Sequence, residues 1–556
     1  MTLREDIAAL IKGDVADDET TLVEYSRDTS IFERRPKLVV FPMNADDVAA
    51  VVRYAHEARS RGENVSVAAR SGGSDMTGGP LTDSIVLSFA KYMHRIGAIA
   101  ADPGSEGTGF ALAEPGAYYR DLEKETLERI GMLLPSYPAS RGLCAVGGII
   151  GNNAGGELTL RWGKTDRYVR ELDVVLADGS RATVKPLSAR ELAAKESQED
   201  FEGEIYRKTR ALIEKNADAI EAARPHVSKN SAGYALWDVA DRETGAFDLT
   251  RLITGSQGTL ALVTEAKLGL VRLPAHHAML VVFLSDLEIL PEIVKRVLSF
   301  EPESFESYDK YTFRLAMRFL PQLLGQMGVV RMMELGVAFI PEMWMVATGG
   351  VPQLVLMAEF AEETAAQALA KARWAHDELL DLDISMKIAK SEAQEAKYWT
   401  VRRESFNLLR KHMPGMSAAP FIDDFVVPPE SYPKFLPELD ALLSGYKLVF
   451  TVAGHIGNGN FHIFPFIDMS SHKNRDIILE LSPKVYELVA KYRGSITGEH
   501  NDGIVRTPYL PLMFPPRMIE LFAEVKEIFD SLNILNPGKK TGGAVEDIER
   551  SMITRS

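Results

Sequence analysis

The stretch RSGGSDMTGGP, residues 70–80, has four glycines in eleven positions and directly follows the apolar run VSVAA. Upstream of it, the run KLVVFP and the helical pattern NADDVAAVVRYAHEARSRGE give a strand, a helix and a second strand that lead into the loop. Glycine lets backbone N–H groups approach an anion closely and takes positive φ at low steric cost. The stretch therefore predicts either a tight structural turn or a site for a phosphorylated cofactor.

Two further segments are also rich in glycine: VGGIIGNNAGG, residues 146–156, and TGSQGTLALVTEA, residues 254–266. No G-x-G-x-x-G lies between a strand and a helix, which argues against a dinucleotide fingerprint. The GKT at 163–165 is not a P-loop, because the template needs glycine at position 158 and leucine stands there. Three such loops in one region favour a phosphorylated cofactor that is bound outside these standard motifs.

The patterns around these loops divide the chain into at least two folded units, as a length of 556 residues favours. From Pro36 to Leu273, short β-rich runs alternate with helical patterns, which predicts an α+β domain. Pro274 and the pair His276–His277 are interpreted as a linker. The runs that follow predict a second unit of strands and helices on an antiparallel or mixed sheet.

Composition excludes several classes of protein. The net charge of −15 disfavours binding to nucleic acid. The single cysteine, Cys144, rules out an internal disulfide framework and iron–sulfur ligation, and it is expected to be a buried core residue. The N-terminus lacks signal-peptide features, so we expect a cytoplasmic protein. The most membrane-like region, 335–358, is interrupted by prolines, which leaves open a peripheral contact at the inner face of the membrane.

The stretch AGHIGNGNFHIF, residues 453–464, holds two histidines between runs with strand character. Asn458–Gly459 is a favoured pair for a two-residue type I′ turn. That turn predicts His455 directly opposite His462, with Cβ atoms about 4.5–5.5 Å apart, so both imidazoles could reach one metal ion. Two histidines alone are a weak site, and a hairpin with local hydrogen bonds is the alternative.

The ordered series RSGGSDMTGG, PASRGLCAVGGIIGNNAGG, DVVLADGS and TGSQGTLALVTEA resembles the FAD-linked oxidases and dehydrogenases of the vanillyl-alcohol oxidase type. The similarity points to the branch of D-lactate dehydrogenase, the glycolate oxidase flavoprotein subunit and D-2-hydroxyglutarate dehydrogenase. It implies an α+β protein with a two-lobed FAD-binding domain and a substrate or cap domain on a ferredoxin-like sheet. The implied divisions are a helical segment 1–35, the FAD-binding domain 36–273, the cap domain 274–540, whose part from about 500 returns to the FAD-binding domain, and a tail 541–556.

The resemblance also implies where FAD binds, with its pyrophosphate over residues 71–76 and other contacts from 135–156 and 255–265. Some relatives attach the flavin through a histidine in the first loop; Ser74 stands there in this chain, so we expect non-covalent FAD. The expected cofactor contacts are Ser71, Gly72, Gly73, Ser74, Asp75, Met76, Pro135, Gly147, Gly148, Gly151, Asn152, Asn153, Gly258, Val263, Glu265, Asn460 and Asn536.

The family pairs GHxGxGNxH with a GEH segment, which here is residues 498–500. The resemblance thus adds Glu499 to His455 and His462 as the third ligand of a divalent metal, Zn or Mn. His500 would be the general base, and Arg402, three residues after Trp399, would bind the substrate carboxylate. The implied reaction oxidises a D-2-hydroxy acid, such as D-lactate, glycolate or a larger one, to the 2-keto acid.

Two departures from the family pattern bear on the substrate. The stretch PFIDDFVVPP, residues 420–429, is acidic where hydroxyglutarate-selective relatives carry a lysine, so a dicarboxylate would need another cation such as Arg506. Asn501 stands where many relatives have glycine. The alternatives are another flavin oxidase of the same fold, an ether-lipid synthase type, a metal-dependent hydrolase or an FAD-binding carrier subunit. A homodimer and any electron acceptor (oxygen, a quinone, a cytochrome or an electron-transfer flavoprotein) stay open.

Overall fold

The structure is a computed structural model that describes residues 2–241, 243–314, 350–389, 394–403 and 415–554. Its first sheet packs against the helix Ala45–Ser60. The N-cap of this helix, Asn44, accepts from the amides of Asp46 and Asp47. The apolar face of that helix is buried, as its spacing predicts. In spatial order the strands of this sheet are Asp14–Ala16, Leu38–Phe41, Ile85–Ser88 and Val67–Arg70, with the last three parallel.

A second, antiparallel sheet lies, like three strands of the first, within residues 36–273, the predicted FAD-binding domain, called the FAD-binding half below. The end of the third glycine-rich segment forms the start of its central strand. In spatial order its strands are Ile96–Ala101, Thr108–Ala113, Leu262–Val271, Val169–Val175 and Arg181–Val184. Cys144 is buried beside it, as expected, and burial raises the pKa of its thiol to about 12.

The third sheet is antiparallel and has eight strands among the described residues. Four of its strands lie side by side at one edge. In spatial order they are Ser385–Ala389, His276–Leu284, Leu354–Glu362 and Ser304–Asp309, which are the fourth, first, third and second of the four along the chain. With helices Leu290–Leu298 and Ala365–Glu378 they form the βαββαβ unit of the predicted ferredoxin-like sheet. The sheet continues with Val449–His455, Asn460–Ile467, Ser417–Ala418 and Phe425–Val426.

One interpretation of the linker is wrong. His276 and His277 are the first two residues of a strand, paired with Glu362 and Ala361. The apolar run MLVVFL that follows is long enough to draw both histidines into the ladder.

Both ends of the chain pack on the FAD-binding half. The N-terminal segment has two short helices and one strand that joins the first sheet. The amide of Asn536 donates to Val67 O at 2.8 Å, and Met552 forms a bridge with Phe32. Residues 541–556 therefore include a packed helix, Val545–Ser551.

The other helices connect these sheets and cover them. None of the described helices has the length and apolar character that a bilayer crossing requires, and most of the 335–358 region lies outside the described residues. The remaining α-helices are Leu3–Ala8, Glu19–Glu24, Tyr119–Ile130, Val146–Asn152, Thr159–Trp162, Ala189–Glu196, Phe201–Lys215, Ala217–Ala222, Thr250–Ile253, Tyr432–Ser444, His472–Lys491, Gly503–Arg506, Leu510–Met513 and Pro516–Phe529.

Candidate active site

The histidine hairpin forms, but the predicted register of its strands is wrong. His462 lies opposite Ala453 and His455 lies opposite Asn460, because residues 456–459 form the connection instead of Asn458–Gly459 alone. Val427, just after the strand Phe425–Val426, lies against this turn. A Cβ on Gly459, where φ is +74°, would lie 1.9 Å from Val427 O. The shift is even, so both histidines stay on one face of the sheet as diagonal neighbours, with ring centroids 5.2 Å apart.

Glu499 lies between these two imidazoles, as the resemblance implies. Its Oε1 is 3.2 Å from Nε2 of His455 and 3.4 Å from Nε2 of His462. The Nε2 of His500 faces the same oxygen at 4.0 Å. Three imidazole nitrogens and one carboxylate oxygen therefore converge. Two of the imidazoles, on His455 and His462, are buried with Glu499, and these two nitrogens and one oxygen are a donor set that suits Zn²⁺ or Mn²⁺.

Carboxylates behind the histidines fix the direction of each ring. The Nδ1 of His455 lies 2.6 Å from Glu306, and the Nδ1 of His462 lies 3.0 Å from Asp423. The second oxygen of Asp423 lies 2.6 Å from Nδ1 of His500. A carboxylate on the outer nitrogen leaves Nε2 to face inward, which is how metal-ligating histidines are usually held.

The electrostatics follow from this arrangement. Burial alone would lower the pKa of His462, but the nearby charges of Asp423 and Glu499 raise it to about 10. Burial would raise the pKa of Asp423, and the two histidines instead hold it below its usual range. The pKa of Glu499 is also lowered, since the charges of Lys229 and His455 outweigh its burial. The carboxylates of the site are thus ionised, and they favour the protonated form of His462.

Asp424 holds the backbone of the GEH segment. Its buried carboxylate accepts from the amides of Gly498, Glu499 and His500 at 2.7–3.2 Å, and from the Thr497 hydroxyl at 2.7 Å. The side-chain amide of Asn460 donates to its other oxygen at 3.1 Å. An oxygen of Asp424 lies within 4.8 Å of ligating atoms of His462, Glu499 and His500. Both oxygens of Asp424 already accept hydrogen bonds from protein donors. It is a scaffold for the site.

Lys229 fixes the second oxygen of Glu499. Its ammonium group is fully buried and lies 2.7 Å from Glu499 Oε2 and 3.3 Å from Asn460 Oδ1. A buried carboxylate in this position needs such a partner. Lys229 thereby turns Oε1 toward the histidines, and Asn460, a predicted cofactor contact, is used inside this cluster.

Arg402 reaches the site through Glu306, whereas its neighbour Arg403 does not. The Nη2 of Arg402 is 3.2 Å from Glu306 Oε2, and Glu306 in turn holds His455. Arg403 instead pairs with Glu157 at 2.6 Å. Of the two, Arg402 is therefore the one that lies beside the histidine cluster.

The two departures from the family pattern have structural explanations. Arg506 is fully buried and donates to the carbonyl oxygens of Asn501 and Asp423, so it cannot serve as a substitute cation for substrate. Asn501 takes φ = +74°, a region that favours glycine, and its side chain donates to Gly255 O at 2.8 Å. The GEH segment is thereby tied to the third glycine-rich loop.

The three glycine-rich segments converge, and side chains tie them together. Asp75 accepts from Asn152 Nδ2 at 2.8 Å, and Asn152 accepts from Gln257 Nε2 at 3.1 Å. Asn536 donates to Gly79 O and to Gln257 O. The predicted contacts Asp75, Asn152 and Asn536 thus set the positions of the loops. Glu265, on a strand, pairs with Arg95, and Pro135 is buried.

The first loop has the character of an anion cradle. In the described part of the chain, no backbone N–H of residues 71–76 donates to a protein acceptor, and the loop is partly exposed. Gly72 and Gly73 allow its close approach to the 143–147 segment and its positive φ. A Cβ on Gly148 would meet nothing within 4 Å. Six unused amides beside open space fit a pyrophosphate.

Family models match both halves of the chain. Residues 36–185 match the model described as FAD binding domain. Residues 273–540 match the one described as FAD linked oxidases, C-terminal domain. The chain belongs to the FAD-linked oxidase family, of the vanillyl-alcohol oxidase type. The matched FAD-binding domain and the amide cradle agree on FAD as the cofactor.

Two curated proteins and one solved structure illustrate what this chain is similar to. The chain is 28% identical over 535 residues to a D-2-hydroxyglutarate dehydrogenase of Pseudomonas putida, covering 95% of this chain and 50% of that one. It is 26% identical to a D-lactate dehydrogenase of Archaeoglobus fulgidus, covering 90% of each. The chain thus spans about half the length of the first of these curated relatives. A solved alkyldihydroxyacetonephosphate synthase matches with a TM-score of 0.65 at 15% identity, over 96% of this chain and 85% of that one, which confirms the fold.

Four buried residues of the site were missed by the sequence reasoning: Glu306, Asp423, Asp424 and Lys229. The pair Asp423–Asp424 was noticed only as an acidic replacement for a lysine. A signal was present, because two adjacent acids between apolar residues are rarely buried without partners. Lys229 and Glu306 offered no comparable signal, since each meets the site from a distant part of the chain.

Proposed function

We propose that the protein oxidises a D-2-hydroxy acid, such as D-lactate, glycolate or a larger one, to the corresponding 2-keto acid. The observation that carries this proposal is the convergence of His455, His462 and Glu499, with Arg402 one carboxylate away. The names of the relatives, which include a D-2-hydroxyglutarate dehydrogenase and a D-lactate dehydrogenase, support the same substrate class.

The cofactors divide the chemistry between them. Non-covalent FAD over residues 71–76 supplies the hydride acceptor, and a divalent ion held by His455, His462 and Glu499 supplies a Lewis acid for the substrate hydroxyl. The donor set, two nitrogens and one oxygen from the protein, fits Zn²⁺ or Mn²⁺.

The protein's own side chains bind the substrate and move its proton. Arg402 binds the carboxylate, for which its planar guanidinium is suited. The Nε2 of His500 receives the hydroxyl proton, and Asp423 beside Nδ1 stabilises the resulting imidazolium. Burial alone would lower the pKa of His500, but Asp424 and Asp423 raise it.

The test is anaerobic stopped-flow reduction of the bound flavin by a panel of D-2-hydroxy acids, with wild type and His500→Ala compared. We expect the variant to keep FAD and metal but to reduce the flavin about 10²–10⁴-fold more slowly, the usual contribution of a general base. His472→Ala, on an exposed histidine, is the matched control and should react like wild type. Unchanged kinetics in His500→Ala would remove this residue from the mechanism.

Other outcomes of the same test favour the alternatives. A protein that binds metal but no FAD would point to a hydrolase, and flavin reduction by simple alcohols alone would point to another oxidase of this fold. The electron acceptor, a homodimer, a cytoplasmic location and contact with the inner face of the membrane stay predictions.

A further inference from the structure

A second group of metal-ligating side chains lies outside the site described above. His277, Glu303 and Glu359 each offer one ligand atom, and these atoms all lie within 4.8 Å of one another. The Nδ1 of His277 is 3.7 Å from Oε2 of Glu303. An imidazole and two carboxylates at such separations form the kind of donor set that a divalent cation bridges with small side-chain movements.

The sheet itself produces this convergence. His277 lies opposite Ala361 on the neighbouring strand, so it shares a face with Glu359, two residues away, as a diagonal neighbour. Glu303 precedes the next strand, and its amide donates to Glu359 O at 2.8 Å. The three residues thus come from two adjacent strands and from the position just before a third, at one end of the ferredoxin-like unit.

Each carboxylate is oriented by an indole from outside the sheet. Trp162 Nε1 donates to Oε1 of Glu303 at 2.9 Å, and Trp399 Nε1 donates to Oε1 of Glu359 at 3.2 Å. One oxygen of each glutamate is thereby held, as outer partners hold the ligands of a metal. In the described part of the chain, Oε2 of Glu303 is buried without any hydrogen-bond donor.

The two carboxylates of the cluster are buried close together. Glu303 is 1% exposed and Glu359 is 9% exposed. Burial and the charge of Glu303 raise the pKa of Glu359 to about 8, and burial also raises the pKa of Glu303. Such a pair of buried acids is stabilised by either a bound cation or a retained proton. His277 is about one-third exposed and leaves an entry path from solvent.

We propose that His277, Glu303 and Glu359 form a second divalent-cation site, separate from the Glu499 site. The cation would pull Glu303 into a fixed position, and Glu303 in turn holds Trp162 on the helix Thr159–Trp162 of the FAD-binding half. The site would therefore fasten the eight-stranded sheet of the cap domain to the FAD-binding half.

The experiment counts manganese ions per chain. Full-length protein is stripped with a chelator, dialysed against Mn²⁺ and assayed for bound metal, with free Mn²⁺ followed by electron paramagnetic resonance. We expect Glu303→Gln and His277→Ala each to bind one Mn²⁺ fewer than wild type. Glutamine keeps the acceptor for Trp162, and His277 lies at the surface, so at least one variant folds normally.

Matched variants make the count decisive. Glu363→Gln makes the same chemical change at an exposed position nearby and should bind as many ions as wild type. Glu499→Gln removes the first site, so only the second site remains and this variant should bind one Mn²⁺. The double variant Glu499→Gln/Glu303→Gln should bind no Mn²⁺. The proposal is overturned if Glu303→Gln and His277→Ala bind as many ions as Glu363→Gln, which would mean that the carboxylates retain a proton.

Discussion

Replacing Asp424 with alanine removes the acceptor on which the GEH segment depends. The carboxylate accepts from three backbone amides, one hydroxyl and one side-chain amide, and all but the His500 amide are fully buried. An unsatisfied buried donor costs about 1–3 kcal/mol. If a water molecule enters the space and restores two of the five bonds, three donors stay unpaired. We therefore expect Asp424→Ala to lower the free energy of unfolding by about 3–9 kcal/mol.

The assay is urea unfolding of chelator-treated protein, followed by tryptophan fluorescence. Asp440→Ala, on the exposed side of helix Tyr432–Ser444, is the matched control and should change stability by less than about 0.5 kcal/mol. Metal titration of the folded fraction gives a second readout, because Glu499 and His500 lose their backbone anchor. A loss below about 1 kcal/mol, together with unchanged metal affinity, would refute the role given to Asp424.

Three further predictions follow from single contacts. Asp423→Asn should weaken metal affinity about 10–100-fold in a chelator-competition titration, because the variant loses the charge that faces both imidazoles; equal affinity would contradict this. Arg402→Lys should lower kcat/KM for a D-2-hydroxy acid about 10–100-fold while the flavin spectrum stays unchanged, since lysine lacks the planar fork. Burial and the charge of Asp75 raise the pKa of Asp28 from 3.8 to about 8. The folded state therefore binds the proton of Asp28 more tightly than the unfolded state, so stability falls as the pH rises from 3.8 to about 8. Asp28→Asn should remove a slope of about 1.4 kcal/mol per pH unit from the stability profile, and parallel profiles for variant and wild type would argue against it.

The parts of the site that could be predicted are those encoded by local spacing. The glycine-rich loops, the histidine hairpin and the GEH segment are each contiguous in sequence, and their residue types limit what they can bind. The ferredoxin-like sheet followed from the resemblance and is confirmed by the strand order. The hairpin register was wrong because the connection comprises residues 456–459 and not the pair Asn458–Gly459 alone.

The parts that could not be predicted depend on contacts between distant positions. Glu306 meets His455 across 149 positions, and Lys229 meets Glu499 across 270. No periodicity or motif spacing specifies such pairs: the first arises where two strands of the eight-stranded sheet pair, and the second where residues 36–273 meet the GEH segment. Arg506 shows the same limit, because its charge alone suggested contact with substrate and its burial excludes it.

The central claim is that a flavin and a metal-bound histidine–carboxylate cluster act together on a D-2-hydroxy acid. Its most direct test is anaerobic mixing of the purified yellow protein with D-lactate, glycolate and larger D-2-hydroxy acids, before and after chelation and after Mn²⁺ or Zn²⁺ is restored. We predict that at least one acid bleaches the flavin, that chelation abolishes the bleaching and that the metal restores it. A protein that binds no FAD, or a flavin that every acid leaves oxidised in the presence of metal, would contradict the account.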